Sequence, residues 1–328
     1  MRMRAPAFWY RPPGLTSALL APLGALYAAG TARRLRRGPR ERVGVPVICV
    51  GNINAGGTGK TPTAIALAQR LRDRGRSVHV VTRGHGGTLE GPVLVEERKH
   101  RASETGDEAL LLAAFAKTWV AKDRLAGARA AVDAGADVIL LDDGFQNPAL
   151  AHDLSIVVVD AHRGFGNRRV LPAGPLREPV ARGLARADLV LSIGPEAAQA
   201  RFAENEARDL PVPLIRGRLA PLPTGLPLEG LPVLAFAGIG HPEKFFVTLR
   251  ELGADIKAAH ALSDHQPLSD ALMARIFREA SAMGAQVVTT EKDAVRLSPE
   301  FRPRVLTVPV RLEIEDWAPL EGFLDRLL

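Results

Sequence analysis

At 328 residues with 46% hydrophobic content, the chain is long enough for two α/β-sized domains and too apolar to stay disordered. Its net charge of +7 invites a nucleic-acid reading, but residues 1–42 hold nine arginines against Glu41 alone and the remaining 286 residues are close to neutral. That distribution argues against nucleic acid as a partner and for a local anchor on an anionic membrane surface, where each surface-proximal Arg gains about 1 kcal/mol.

Between Arg11 and Arg33 run 21 residues without a charge, close to the length of roughly 20 apolar residues that spans a bilayer. Pro12, Pro13 and Pro22 are expected to interrupt a helix there. Two short amphipathic helices lying in the interface therefore fit as well as one span, with Phe8, Trp9 and Tyr10 at headgroup depth and Arg33 to Arg37 on lipid phosphates. A signal peptide is the competing reading, and it would strand the nucleotide site argued below outside the cytosol; a third reading makes these residues ordinary core helices.

Residues 45–51 are an apolar, β-branched run ending in Gly, the pattern of a buried parallel strand. Cys49, the only cysteine, reads as part of that strand's core, and no intramolecular disulfide is possible. The string from Asn52 to Thr61 follows, then a helical pattern with Ala64, Leu67, Ala68 and Leu71 on one face. Strand, glycine loop and helix stand in the order of a phosphate-binding loop. Asn54, Ala55, Gly56, Gly57, Thr58 and Gly59 bring backbone N–H groups to phosphate oxygens, Lys60 reaches the β- and γ-phosphates of ATP, and Thr61 offers a hydroxyl to Mg²⁺. Asn54 occupies the motif's first Gly position, which Asn suits by tolerating left-handed backbone. The loop also resembles that of partition-type ATPases, which carry an extra lysine where this chain has Ala55.

Gly106-Asp107-Glu108 precedes an apolar helix over 109–115. Local sequence alone gives Asp107 and Glu108 a capping role. Residues 137–143 are a second apolar strand, ending in the paired carboxylates Asp142 and Asp143. Beside a phosphate-binding loop such acids hold Mg²⁺; a plain turn is the alternative. With strand-like runs at 77–82, 154–160 and 188–193, the pattern gives an α/β fold: a P-loop NTPase-type parallel sheet with helices on both faces. The Pro-rich stretch 211–232 reads as a linker to a smaller α/β domain built from 232–238, a helix over 242–252, and strands at 286–290 and 305–310. The expected division is 1–42 membrane-associating, 43–215 nucleotide-binding and 216–328 carboxy-terminal.

These strings together resemble the tetraacyldisaccharide 4′-kinase family. The resemblance runs over most of the chain: 50–62, Thr-Arg-Gly-His-Gly-Gly at 82–87, Gly-Asp-Glu-Ala at 106–109, Leu-Asp-Asp-Gly-Phe-Gln at 141–146 and Leu-Pro-Ala-Gly-Pro-Leu-Arg-Glu-Pro at 171–179. Further matches are 237–246, Asp264-His265 and Thr-Thr-Glu-Lys-Asp-Ala at 289–294. Ala109 and Asn147 depart from it, standing where a proline and a histidine are common. The resemblance implies an ATP-dependent, Mg²⁺-requiring kinase at the cytoplasmic face of the inner membrane. Its acceptor is the 4′-hydroxyl of an acylated disaccharide phosphate, a lipid A precursor, and no obligate protein partner is evident.

It also implies that Asp107 takes the hydroxyl proton with His265 as its partner, beside Lys60. Glu108, Asp153, Arg177 and Glu178 match family residues near nucleotide or acceptor, and Glu291, Lys292 and Asp293 match without an assigned role. Surface pairing, loop ending and helix capping are the ordinary roles of these groups. A partition-type ATPase switch without a lipid acceptor is the alternative function, opposed by Ala55. A GTPase lacks support because the chain has no Asn-Lys-x-Asp string.

Overall fold

The computed structural model describes residues 5–223, 225, 227–264 and 266–328. A 3-10 turn, Ala7–Tyr10, leads into α1, Leu15–Arg37. The central alternation follows: β1 Val47–Gly51, α2 Lys60–Asp73, β2 Val78–Thr82, β3 Val93–Leu94, α3 Ala102–Thr105, α4 Asp107–Ala113, β4 Lys117–Val120, α5 Arg124–Asp133, β5 Val138–Asp142, β6 Leu154–Asp160, α6 Val180–Leu184, β7 Leu189–Ile193, α7 Glu196–Asn205 and β8 Leu214–Pro221. The last stretch holds β9 Pro232–Ala237, α8 Pro242–Glu251, β10 Asp255–Ala261, α9 Asp270–Ala282, β11 Gln286–Thr290, α10 Glu291–Ala294, β12 Leu306–Val308, β13 Val310–Ile314 and α11 Ala318–Leu327.

Two sheets result. The larger has nine strands in the order β13-β8-β7-β6-β1-β5-β2-β4-β3, parallel from β8 to β4 and closed at each edge by an antiparallel strand. Its central strands are buried on both faces, and alternate side chains feed two cores. Ile48 and Val50 join Leu67 and Leu71 of α2 and Leu320 and Leu324 of α11, while Val47 and Cys49 join Ala128 of α5 and Phe202 of α7. The smaller sheet, β10-β9-β11-β12, is parallel throughout, with α9 on one face and α8 on the other.

Three sequence expectations change. Pro22 lies inside α1 without ending it, so the amino-terminal segment carries one 23-residue helix rather than two short ones. The stretch taken as a linker contains β8, an eight-residue strand of the large sheet, so the boundary expected at 215/216 falls within a strand. The run 305–310 divides at Pro309, with β12 in the small sheet and β13 crossing back to pair with β8. Proline has no backbone N–H for a ladder, and Pro309 stands where the chain changes sheets.

Candidate active site

The chain turns directly from β1 into residues 52–59. Asn52, fully buried, closes that turn on itself, its Nδ2 donating to Gly56 O at 3.2 Å and Thr58 Oγ1 at 3.2 Å. Gly59 has φ +98°, a left-handed conformation that favours glycine, and a Cβ there would also make the tip of Ile193 shift. Lys60 then opens α2, whose amino-terminal amides suit an anion. Asn54 does not adopt left-handed backbone. Its side chain is a tether instead, Nδ2 donating to Gly164 O at 3.1 Å, which gives the departure from glycine a physical reason.

Opposite the loop, β5 delivers the two acids. Lys60 Nζ lies 3.7 Å from Asp143 Oδ1, and Arg177 Nη1 donates to the same oxygen at 3.2 Å. Burial alone would raise Asp143, but Lys60 and Arg177 outweigh it and hold the carboxyl below its ordinary range. Asp143 itself sits at φ +55°, which turns its side chain out of the strand alternation towards both cations. Asp142 is 1% exposed; Oδ2 accepts from Thr82 Oγ1 at 3.2 Å, and Oδ1 has no hydrogen-bond partner among the described residues. Burial pushes Asp142 up to about 7, Glu108 and Asp143 push the same way, and Lys60 opposes them. A buried carboxylate with one orphaned oxygen is the chemistry that a bound cation relieves.

Arg177 and Glu178 stand beside these groups, brought there by backbone pairing of Arg177 N to Ile53 O at 2.7 Å. Gln146 organises them. Its Oε1 accepts from Arg177 at 3.3 Å, and its Nε2 donates to Asn52 O at 2.8 Å and Glu178 Oε1 at 3.0 Å. Glu178 is buried and paired with Arg186 through both oxygens at 2.7 Å, while Arg186 stacks over Phe145. Glu178 is thus a brace for the loop rather than a group facing an open cleft.

Asp107 and Glu108 begin α4 as expected. Gly106 precedes them at φ +87°, where a Cβ would meet His85 O at 2.7 Å; the glycine lets the 82–87 string lie against the start of α4. Asp107 is 3% exposed, and its Oδ1 accepts from Glu108 N at 2.9 Å. The small sheet then closes over this corner. Lys292 of α10 donates to Glu108 Oε1 at 3.1 Å, and Arg296 Nε faces Asp107 Oδ2 at 3.9 Å. Arg296 also donates to Gln266 O at 2.8 Å and pairs with Asp293.

His265, the expected partner of Asp107, lies outside the described residues. Asp153 is not part of the constellation. It caps the other end of β1, accepting from Val47 N at 2.9 Å and Arg42 Nη1 at 2.7 Å, and β1 alone separates it from the loop by about 13 Å. A parallel strand has its ligand-facing end at its carboxyl terminus, and Asp153 precedes β6. Sequence reading passed over Asn52, Gln146, Arg186 and Arg296. The signals were slight: a polar residue after an apolar strand, and an arginine three residues beyond Asp293.

Comparison with known proteins finds relatives over nearly the whole chain. A family model described as tetraacyldisaccharide-1-P 4′-kinase matches residues 16–328. The tetraacyldisaccharide 4′-kinase of Jannaschia sp. (strain CCS1) is 73% identical over 326 residues, covering 99% of each chain. That of Dinoroseobacter shibae is 64% identical over 329 residues, covering 99% of this chain and 98% of its own. Among solved structures, that of LpxK from Aquifex aeolicus in complex with ATP superposes with a TM-score of 0.77 at 27% identity, covering 95% of this chain and 99% of that one.

Proposed function

This chain belongs to the tetraacyldisaccharide 4′-kinase family, and from that premise we propose how its residues divide the work of an ATP-dependent kinase. The reaction passes the γ-phosphate of ATP to the 4′-hydroxyl of a tetraacyldisaccharide 1-phosphate and yields lipid IVA. The observation that carries the assignment of roles is the facing pair of Lys60 and Asp143 at 3.7 Å, with the orphaned Asp142 oxygen beside it.

Phosphoryl transfer needs positioning and charge neutralisation more than covalent help. Amides of residues 56–59 and the Lys60 ammonium hold the β- and γ-phosphates, the expected Ala55 amide being taken up by Pro175 O at 2.7 Å, and Arg177 keeps Asp143 turned towards Lys60. Asp107 accepts the proton of the 4′-hydroxyl as its oxygen bonds to the γ-phosphorus, and the bridging P–O bond breaks to release ADP. His265 orients that carboxylate. Thr61, Asp142 and Asp143 are the groups that would hold Mg²⁺, a hard cation bound through one or two carboxylates together with phosphate oxygens, and it would supply charge neutralisation on those oxygens.

We divide the molecule into a nucleotide-binding body, 43–223 with 310–328, and a lobe over 228–308 that closes on it. Two chain crossings join them, held together where Leu222 N donates to Pro309 O at 2.9 Å. The acceptor arrives from the membrane. On α1, Leu15, Leu19, Leu23, Leu26 and Tyr27 form one exposed stripe, while Ser17, Gly24, Thr31 and Leu35 are buried on the body. The helix is long and apolar enough to cross a bilayer, but a helix with one face against its own protein lies in the interface. Its last turn carries Arg34, Arg36 and Arg37, which in this reading meet anionic headgroups of the cytoplasmic leaflet.

The test is incubation with γ-labelled ATP, Mg²⁺ and tetraacyldisaccharide 1-phosphate, followed by lipid extraction. Label in the lipid fraction is expected. Label confined to the aqueous phase, or equal ATP hydrolysis without acceptor, overturns the assignment in favour of a partition-type switch.

A further inference from the structure

Residues 160–177, from the last residue of β6 towards α6, touch three parts of the molecule at once. The first is the phosphate-binding loop, through Asn54 Nδ2 to Gly164 O at 3.1 Å and Ala55 N to Pro175 O at 2.7 Å. The second is the amino-terminal segment. Asn167 N donates to Trp9 O at 2.7 Å, Trp9 Nε1 donates to Pro172 O at 3.0 Å, and Gly24 of α1 packs on Val170. The third is α8 of the small-sheet lobe, where Lys244 Nζ donates to Asp160 Oδ2 at 2.9 Å.

One side chain joins the second part to the third. The Arg163 guanidinium lies over the Tyr10 ring, 4.3 Å from its centroid, and its Nη1 donates to the Tyr10 hydroxyl at 3.1 Å. Its Nη2 faces His241 Nδ1, at the amino-terminal cap of α8, at 3.4 Å. The planar, forked guanidinium is what permits a stacked partner and two directed N–H groups together; an ammonium cannot reproduce it. Asp160, 6% exposed, adds a reason for the parts to move together. A buried carboxylate that loses its counter-charge is strongly destabilised, so withdrawing α8 with Lys244 disturbs the segment that also holds Asn54.

Trp9 and Tyr10, expected at headgroup depth, thus have their polar ends tied to the body. The lipid-facing residues are those of the α1 stripe directly after them, and a shift of α1 on a bilayer is felt first at this turn. We propose that Arg163 is a positioning residue that couples seating of the amino-terminal segment on lipid to the placement of α8 and of the phosphate-binding loop, so that phosphoryl transfer is faster on a membrane-held acceptor. This rests on the kinase reading with α1 in the interface.

The experiment compares turnover on acceptor embedded in phosphatidylethanolamine–phosphatidylglycerol vesicles with turnover on acceptor dispersed in detergent, for the full-length wild type, Arg163→Met, Arg163→Lys, Tyr10→Leu and the double variant Tyr10→Leu with Arg163→Met. Wild type is expected to turn over faster on vesicles, by on the order of tenfold, and the single variants to lose most of that ratio. Co-sedimentation with vesicles and the KM for ATP should stay within about twofold of wild type, and the double variant should be no worse than the poorer single one. Arg163→Lys, with its charge but not its fork, should resemble Arg163→Met. A vesicle-to-detergent ratio unchanged in Arg163→Met and Tyr10→Leu, losses that multiply in the double variant, or vesicle binding that falls in step with turnover would each overturn the coupling. Should Arg163→Met fail to fold, Tyr10→Leu reads the same coupling from the lipid side. A wild type that labels no lipid in either medium sinks the kinase reading itself, a result distinct from an unchanged ratio.

Discussion

The nucleotide floor and the seam above it are built in opposite ways. The floor, β1 with residues 52–60 and the end of β5, comes from two short strings of neighbours on adjacent strands and is held within each string: a left-handed Gly59 against Ile193, and Asn52 closing its own turn. The seam, where α10 meets α4 and α8 meets β6, is made of side-chain pairs between residues far apart in the chain, Lys292 with Glu108 and Lys244 with Asp160. Lys292 and Glu108, both partly open to solvent, exchange their pairing for water at little net cost, whereas the buried Asp160 holds Lys244 more firmly, so the lobe is held but not locked. A kinase that must admit a large lipid headgroup and then exclude water needs both.

The contrast is tested first where the two regions meet. Asp107→Ala and His265→Ala are each expected to lower kcat by about 10²- to 10⁴-fold while leaving the KM for ATP within about twofold, because a general base acts on the acceptor and not on nucleotide binding. Turnover near wild type in either would remove the proposed base. Lys60→Ala should reduce kcat by about 10²-fold or more through lost charge stabilisation, and unlike the first pair it should also weaken ATP binding. If Lys60→Ala raised only the acceptor KM, the floor would have been assigned to the wrong substrate.

Sequence made the floor legible because its chemistry lies in two short strings of neighbours. The strand at 45–51, the loop and the helix after Lys60 were placed within two residues, and the acids of β5 with them. What escaped was non-local. Nothing in Pro211–Pro232 announces β8, since its exposed arginines follow edge-strand alternation among prolines, and β13 pairs with it only after the chain has built another sheet. Asp153 looked like a site acid in one dimension, yet parallel topology sends it to the opposite end of β6. Glu178 reached the right place but met Arg186, a partner no spacing rule foretells. Asn54 is the subtlest case, where an apparently conformational substitution is a hydrogen bond to Gly164, 110 residues away.

Asp142 lets the floor be probed without substrate. Its folded-state pKa of about 7 lies above the unfolded value of 3.8, so the folded state binds the extra proton between those values, and stability should fall as pH rises through that window. Asp142→Asn removes the titration. The ligand-free variant should match or exceed wild-type Tm above pH 7, by a few degrees, and show a flatter Tm from pH 4 to pH 8, while its kinase activity collapses. A wild-type Tm that climbs over the same range would show that the buried carboxyl is compensated in some other way.

The smallest effect belongs to the seam. Lys292 and Glu108 are each about a quarter to a third exposed, so their pairing is screened, and its loss is expected to change kcat by only about two- to fivefold. The informative quantity is the salt dependence. Burial by itself would lower Lys292, but Glu108, with Asp107 and Asp264 behind it, outweighs burial and keeps the ammonium charged, so lobe closure gains from attraction that added salt weakens within a Debye length of about 10 Å at 0.1 M. Wild-type turnover should decline between low salt and roughly 0.5 M salt, and Lys292→Met should show a shallower decline from a lower start. Parallel salt curves would mean that the lobe is closed by packing and that the exchangeable character of the seam has no bearing on turnover.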